Sequence, residues 1–248
     1  MTMTRFKLSI CSLGFALIFV PWAIPQDVVI SGSTTVKEKL KQYNIGVSKK
    51  ALVEALHNPN AEIRNLAAQQ LAGEGDRDAI PEIIKALDAE KALPIRINIA
   101  FALAWLGVKK GVITLKDACN ESSVAGYLRA RAASYLLDVS DESCLNSTLS
   151  LAESGSEPTD RMAALNLLPR FKMVSKEDSE RRSEIIGKSL TDSAPAVRLT
   201  ASSASVAIGN QLAVPDLQRA IAVEQDKVVR AQMEADLHQL QSQKTDQK

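Results

Sequence analysis

The side chains that most often do chemistry in enzymes are scarce in this sequence. It has two histidines, His57 and His238, near opposite ends of the chain, and three cysteines. A zinc site or an activated nucleophile needs several such side chains converging on one point. No glycine-rich phosphate loop is present, and no strand is predicted to precede one. We therefore predict a protein that is not an enzyme, with no catalytic residue, no metal site and no cofactor.

Arginine is the one charged residue whose spacing is regular. Arginines that mostly follow an apolar residue recur after 32, 33, 32, 37 and 32 residues. These register arginines are Arg64, Arg96, Arg129, Arg161, Arg198 and Arg230. In most cases small or apolar residues stand three, four and seven places later, which are offsets on one face of a helix. The sequence therefore predicts a repeated helix, helix B, that carries one arginine near its start.

A second apolar helical stripe precedes each register arginine and predicts a helix A in every repeat. The helix A segments are 51–56, 79–87, 111–119, 144–152, 183–190 and 213–221. One helix hairpin cannot bury both of its stripes, but stacked neighbours form a continuous core. The predicted fold class is thus all-α, an α-solenoid of about six stacked helix–turn–helix repeats over residues 48–240.

Two segments carry this pattern best, Asn58–Leu87 and Ser193–Ile221. They resemble the HEAT-repeat family, in particular the short bacterial repeats that are also called PBS-lyase-like HEAT repeats. The resemblance covers about Ser48 to Leu240. It implies a ladder in which register arginines bond acidic or amide residues in the turns between helices A and B, which makes Arg64 a structural residue. The matching turn residues, each six places before its arginine, are Asn58, Glu90, Asp192 and Glu224.

The middle of the chain departs from this pattern. At the same offset Arg129 has Ser123 and Arg161 has Gly155, neither of which offers a carboxylate. The resemblance therefore implies that the ladder is interrupted at these two arginines.

Residues 1–26 have the composition of a secretory signal. Arg5 and Lys7 precede an uncharged apolar run, Leu8–Val20, which Pro21 ends. Thirteen helical residues span about 20 Å, less than the roughly 30 Å hydrocarbon core of a membrane. We predict an exported protein, periplasmic or extracellular, with a membrane anchor through residues 8–20 as the alternative.

The ends of the repeat array are predicted to be covered. In residues 27–47, an extension leads into a short capping helix from Thr34 or Thr35 to Gly46. The last helix B has a single apolar stripe, as a terminal capping helix needs. Residues 241–248 are predicted to form a polar disordered tail.

Cys119 and Cys144 remain once a signal containing Cys11 is removed. An exported chain with two cysteines suggests a disulfide. However, if the helices A stack in parallel and in register, the two residues lie about 10 Å apart along the axis and about 9 Å apart across it. That exceeds the limit of about 7 Å between Cα atoms, so we expect two free, mostly buried thiols.

The net charge of the chain and the polar positions of its helices B indicate which class of partner it binds. The formal net charge of +1 offers no basic surface for nucleic acid, and no small-molecule substrate is evident. The helix B surface is the predicted partner surface, through Asn65, Gln69, Gln70 and Trp105, although for Trp105 a place in the core is favoured over the surface. The predicted function is an exported scaffold that binds an unidentified protein or peptide. The alternatives are a membrane-tethered subunit of an envelope complex and, from the family name, a protein of the bilin or chromophore lyase type.

Overall fold

The computed structural model describes residues 29–30, 34–209 and 211–245, which form a stack of α-helices. The first helix, α1, spans Val36–Gln42. The helices A that follow are α2 Lys49–Ala55, α4 Ile80–Ala89, α6 Lys109–Asn120, α8 Leu145–Ser154, α10 Lys176–Ser189 and α12 Val214–Val223. The helices B are α3 Ala61–Gly73, α5 Leu93–Trp105, α7 Gly126–Asp138, α9 Pro158–Leu167, α11 Pro195–Ile208 and α13 Lys227–Thr245. The predicted all-α solenoid of six helix–turn–helix units is confirmed.

A two-residue antiparallel pair precedes the helices. Strand β1, Val29–Ile30, pairs with β2, Thr34–Thr35, so that Val29 lies opposite Thr35. The sequence predicts no strand, and this pair is the departure from that prediction within the described residues. Residues 1–26, the predicted signal, lie outside those residues.

The register arginines have a constant place in the fold. Each is the fourth residue of its helix B, from Arg64 in α3 to Arg230 in α13. Three residues later in α3 begins a pair of small residues, Ala67 and Ala68, and both are fully buried. Successive helices B contact one another from α3 through α13, so small side chains at these positions let their backbones approach closely. The spacing of the register arginines in the sequence is therefore the spacing of successive helices B in one packed layer.

Helices α5 and α6 pack closely where a glycine faces the neighbouring backbone. A Cβ atom on Gly111 would collide with the backbone atoms of Ala100 and Ala104 in α5. Only glycine lacks this atom, so the first turn of α6 lies directly on α5. This contact fixes the position of unit three against unit two.

Helix α1 and helix α13 form the two ends of the array, and α13 extends beyond Leu240, the predicted end of the repeats. Thr35 and Glu38 form a capping box that starts α1, whose Val36 and Leu40 are buried near α3. At the other end α13 continues to Thr245, although residues 241–248 were predicted to be a disordered tail. The segment after Leu240 contains no glycine or proline to stop a helix, which explains the continuation. Residues 246–248 lie outside the described part of the chain.

A disulfide bond joins Cys119 to Cys144, with their Cα atoms 6.3 Å apart. The prediction of two free thiols was therefore wrong. It assumed that α6 and α8 stack in register, whereas Cys119 lies in the last turn of α6 and Cys144 is the N-cap of α8. The start of unit four lies against the end of α6, as the 2.8 Å ion pair of Lys116 with Asp141 also shows. End-to-end overlap removes the axial offset that separated the two cysteines in the prediction.

Candidate binding surface

The register arginines form a ladder between successive units. In the first rung the Nε and Nη2 atoms of Arg64 both lie 2.7 Å from Oε2 of Glu90, in the turn of unit two. The Nη1 atom of Arg64 also donates to the backbone oxygen of Asn58 at 2.8 Å, in its own turn. Only 2% of the Glu90 side chain is exposed. The rung therefore pairs a buried carboxylate and stabilises the stacking of two units.

Two more rungs occur in the second half of the array. Arg161 donates to both carboxylate oxygens of Asp192, at 2.8 and 2.9 Å. Arg198 donates to both carboxylate oxygens of Glu224, at 2.5 and 2.7 Å. Planar guanidinium groups suit such two-point contacts with a carboxylate. Glu90, Asp192 and Glu224 thus have the role that the resemblance implies, whereas the Asn58 side chain accepts from the backbone N–H of Asn60 instead.

The interruptions fall one unit earlier than predicted. Each rung runs from an arginine to the turn of the following unit, so Ser123 affects Arg96 and Gly155 affects Arg129. The prediction that Arg161 lacks a rung is wrong, because its carboxylate partner is Asp192. The Nη1 atom of Arg161 also donates to the backbone oxygen of Gly155, so that contact does not need a carboxylate in its own turn. Among the described residues the Arg129 side chain makes a single hydrogen bond, from Nε to the backbone oxygen of Cys119 at 3.2 Å.

Ladder pairing changes the acidity of the turn carboxylates. The hydrogen bonds from Arg198, together with the backbone N–H of Asp226, lower the pKa of Glu224 from 4.5 to about 2. Burial of Asp192 opposes ionisation, but hydrogen bonds from Arg161 and from the backbone of Ala194 outweigh it and lower the pKa. Both carboxylates are therefore ionised throughout the physiological range.

The lowered pKa of Glu224 predicts a loss of stability in acid. Because the folded protein holds this proton less tightly than the unfolded chain, the contribution is fully present above about pH 4.5 and is lost as the pH falls towards 2. We expect the free energy of unfolding, measured in urea at a series of pH values, to fall less steeply over this window in Glu224→Gln than in the wild type. Glu234→Gln, on the exposed side of α13, is the matched control. Identical slopes for the wild type and Glu224→Gln would contradict the assignment.

An aromatic patch lies on the outer surface of helices B in units two and three. Phe101 stacks on Tyr135 with ring centroids 4.1 Å apart, and Trp105 meets Phe101 edge to face at 5.9 Å. Trp105 is 36% exposed, so it belongs to the surface and not to the core. The Tyr135 hydroxyl donates to Oδ1 of Asn98 at 3.0 Å, which fixes its orientation. We call Phe101, Trp105 and Tyr135 the aromatic patch.

Polar groups continue the same surface into unit four. Arg170 donates to Asp138 at 2.5 Å and to the hydroxyl of Ser134 at 2.9 Å. Asp138 and Arg170 stand nine places after their register arginines, as Trp105 does. None of the residues at plus five or plus nine is buried in any unit. These offsets therefore mark the outward stripe of helix B, and they are the sequence signal that identifies Phe101 and Arg170.

The predicted surface residues of unit one are only partly exposed. Asn65 and Gln70 are buried, at 6% and 5% exposure, so their predicted exposure is wrong. Gln69, at plus five, is half-buried and donates to Asn65 at 2.8 Å. The difference arises because α3 packs between α1 and α5, and the capping helix covers a face that was expected to meet solvent.

The histidines remain apart in the structure, as predicted. His57 lies exposed after α2, 3.7 Å from Glu82, and His238 is exposed on α13. The described residues contain no group of His, Cys, Asp or Glu side chains that would hold a metal ion. No helix in this part of the chain is long and apolar enough to cross a membrane.

Comparison with protein families identifies repeats in the first half of the chain. The family model for HEAT repeats matches residues 50–137, which confirms the predicted resemblance across units one to three. No curated protein matches the chain. Among solved structures, that of human deoxyhypusine hydroxylase in complex with glycerol is similar, with 19% sequence identity and a TM-score of 0.42. The alignment covers 78% of this chain and 73% of that one.

Proposed function

We propose that this chain, whose residues 50–137 match HEAT repeats, is an exported, non-enzymatic scaffold that binds a protein or peptide on its helix B surface. The observation that carries the proposal is the aromatic patch. Six aromatic residues lie in the described part of the chain, and three of them form one cluster through Phe101, in which Trp105 is exposed and Phe101 and Tyr135 are half-buried against the core. Ala and Leu fill the core in their place.

Aromatic residues on a rigid surface suit protein recognition. Trp and Tyr are enriched among the residues that dominate binding energies, because they bury a large area at a small cost in conformational entropy. Phe101 and Tyr135 hold each other by stacking, and Asn98 fixes the Tyr135 hydroxyl. The patch therefore needs little ordering when a partner binds. Asp138 and Arg170 next to it provide the polar rim that such interfaces have.

The disulfide supports the proposed export. Disulfide bonds persist in the periplasm and outside the cell, whereas reducing systems keep cytosolic cysteines in the thiol form. Cys119 and Cys144 are both buried and joined across two units. Sequencing the N-terminus of the protein isolated from cells separates a cleaved signal from a retained anchor, and a start at Met1 in the cytosolic fraction would contradict export.

Site-specific photocrosslinking tests the binding surface. We expect a photoreactive phenylalanine analogue in place of Trp105 to crosslink a discrete partner in the exported fraction, because the side chain lies within the patch. The same analogue in place of Ala207 is the matched control, since Ala207 is exposed at the equivalent position of unit five. The crosslinked band should also weaken in a Tyr135→Ala background. Equal crosslinking from both positions, or none from either, would rule out the patch as the binding surface.

A further inference from the structure

Arg96 differs from the other five register arginines. Its side chain alone makes no hydrogen bond and no ion pair among the described residues, and it is exposed. The other five bond at least one turn carbonyl or helix-end carbonyl, and three of them also bind a carboxylate. The guanidinium of Arg96 is therefore available to a ligand at a position where its counterparts hold the fold together.

The structural counterpart of the ladder carboxylates in unit three is Glu121. Glu90, Glu121 and Glu224 each cap the C-terminal end of their helix A. Each also accepts a hydrogen bond from the backbone N–H two residues later. Glu121 stands eight places before Arg129 instead of six, because the turn of unit three is two residues longer. A rung between Arg96 and Glu121 is thus the regular arrangement, yet no ion pair joins them.

Arg96 and Glu121 instead line one pocket of about 440 Å³, between the first turn of α5 and the end of α6. Pockets of about 300 to 1,000 Å³ hold small ligands in other proteins. Asp117 lies one helical turn before Glu121 and lines the same pocket, and its carboxylate has no partner among the described residues. The hydrogen bond from the backbone of Ser123 is the main cause of a lowered pKa at Glu121, so this carboxylate is charged at neutral pH.

The charges select the class of ligand. A guanidinium on one wall binds a carboxylate through two parallel hydrogen bonds. Two carboxylates on the opposite wall repel a simple anion but bind an ammonium group. The rest of the lining is mainly apolar, with Leu93, Ile97, Ala118 and Val124, and it also includes the polar residues Thr114 and Asn120. A ligand that satisfies all three features carries an anionic group, a cationic group and an apolar chain.

We propose that this pocket binds a free α-amino acid with an apolar side chain. Its carboxylate pairs with Arg96, its ammonium group with Asp117 and Glu121, and its side chain contacts Leu93 and Val124. The ligand thereby completes the ladder between units two and three. The site lies at the turns, apart from the aromatic patch, and does not depend on the proposed scaffold function.

Calorimetric titration of the full chain tests this site with three matched compounds. L-leucine carries both charges, 4-methylpentanoate keeps only the carboxylate, and 3-methylbutylamine keeps only the ammonium group. We expect leucine to bind and each fragment to bind at least about tenfold more weakly, because each loses one charge-assisted contact. Fragments that bind as well as leucine, or leucine that gives no binding in the millimolar range, would overturn the proposal.

Variants locate the binding within the pocket. Arg96→Gln should weaken leucine binding at least about tenfold, and Glu121→Gln should also weaken it. Arg77→Gln is the matched control, because the Arg77 side chain is exposed and likewise without a hydrogen bond or ion pair among the described residues. Arg96 has no ladder partner to lose, so its variant is expected to fold normally, which circular dichroism checks. Leucine binding that is unchanged in Arg96→Gln, or equally weakened in Arg77→Gln, refutes the site.

Discussion

Arg64→Ala is expected to lower the free energy of unfolding by about 3 kcal/mol, because it leaves the buried carboxylate of Glu90 without its partner. Both contacts of the rung are 2.7 Å long, and the Glu90 side chain is only 2% exposed. The substitution also removes the donor to the Asn58 carbonyl. Chemical denaturation followed by helical circular dichroism measures the loss.

Arg96→Ala is the control for this prediction, since Arg96 occupies the same position of the next helix B. Its side chain has no hydrogen bond or ion pair within the described residues, so its removal should cost less than about 0.5 kcal/mol, as for ordinary surface substitutions. Equal losses in the two variants would show that the position matters and the rung does not. If Arg64→Ala melts like the wild type but loses partner binding, Arg64 is a binding residue and not a structural one.

Replacing both Cys119 and Cys144 by serine is expected to cost about 3 kcal/mol or slightly more. The bond closes a loop between residues 25 apart, and a loop of this length restricts the unfolded chain by about that amount. The effect falls at one of the two interruptions of the ladder, because Gly155 offers Arg129 no carboxylate. The disulfide therefore links units three and four at a junction that no arginine rung holds.

Thermal melts with and without a reductant measure this contribution. The wild type should melt at a lower temperature once reduced, by several degrees. The double serine variant should melt near the reduced wild type and should not respond to the reductant. A wild-type melting temperature that does not change on reduction would contradict the prediction, and so would a mass spectrum showing two free thiols in the protein isolated from cells.

The sequence alone does not determine whether Trp105 lies on the surface or in the core. The apolar run around it is compatible with either place, because periodicity alone does not show which neighbour covers each face of a helix. Phe101 and Tyr135, which meet in the structure, belong to different units and are 34 positions apart. Their contact depends on how α5 and α7 pack, and no spacing within one helix determines that.

By itself the sequence determined the repeat, because arginine spacing and apolar periodicity are local properties that recur in every unit. Six arginines at the fourth position of six helices follow directly from that regularity. Tertiary structure alone decided the features where a unit departs from it. In unit three the turn is longer, so Glu121 takes the place of the ladder carboxylate although the offset of six residues points to Ser123. The overlap of the end of α6 with the start of α8 brings Cys119 and Cys144 together. The physical reason is that a shift of a few residues in one turn changes which side chains meet across an interface, while the periodicity of each helix remains the same.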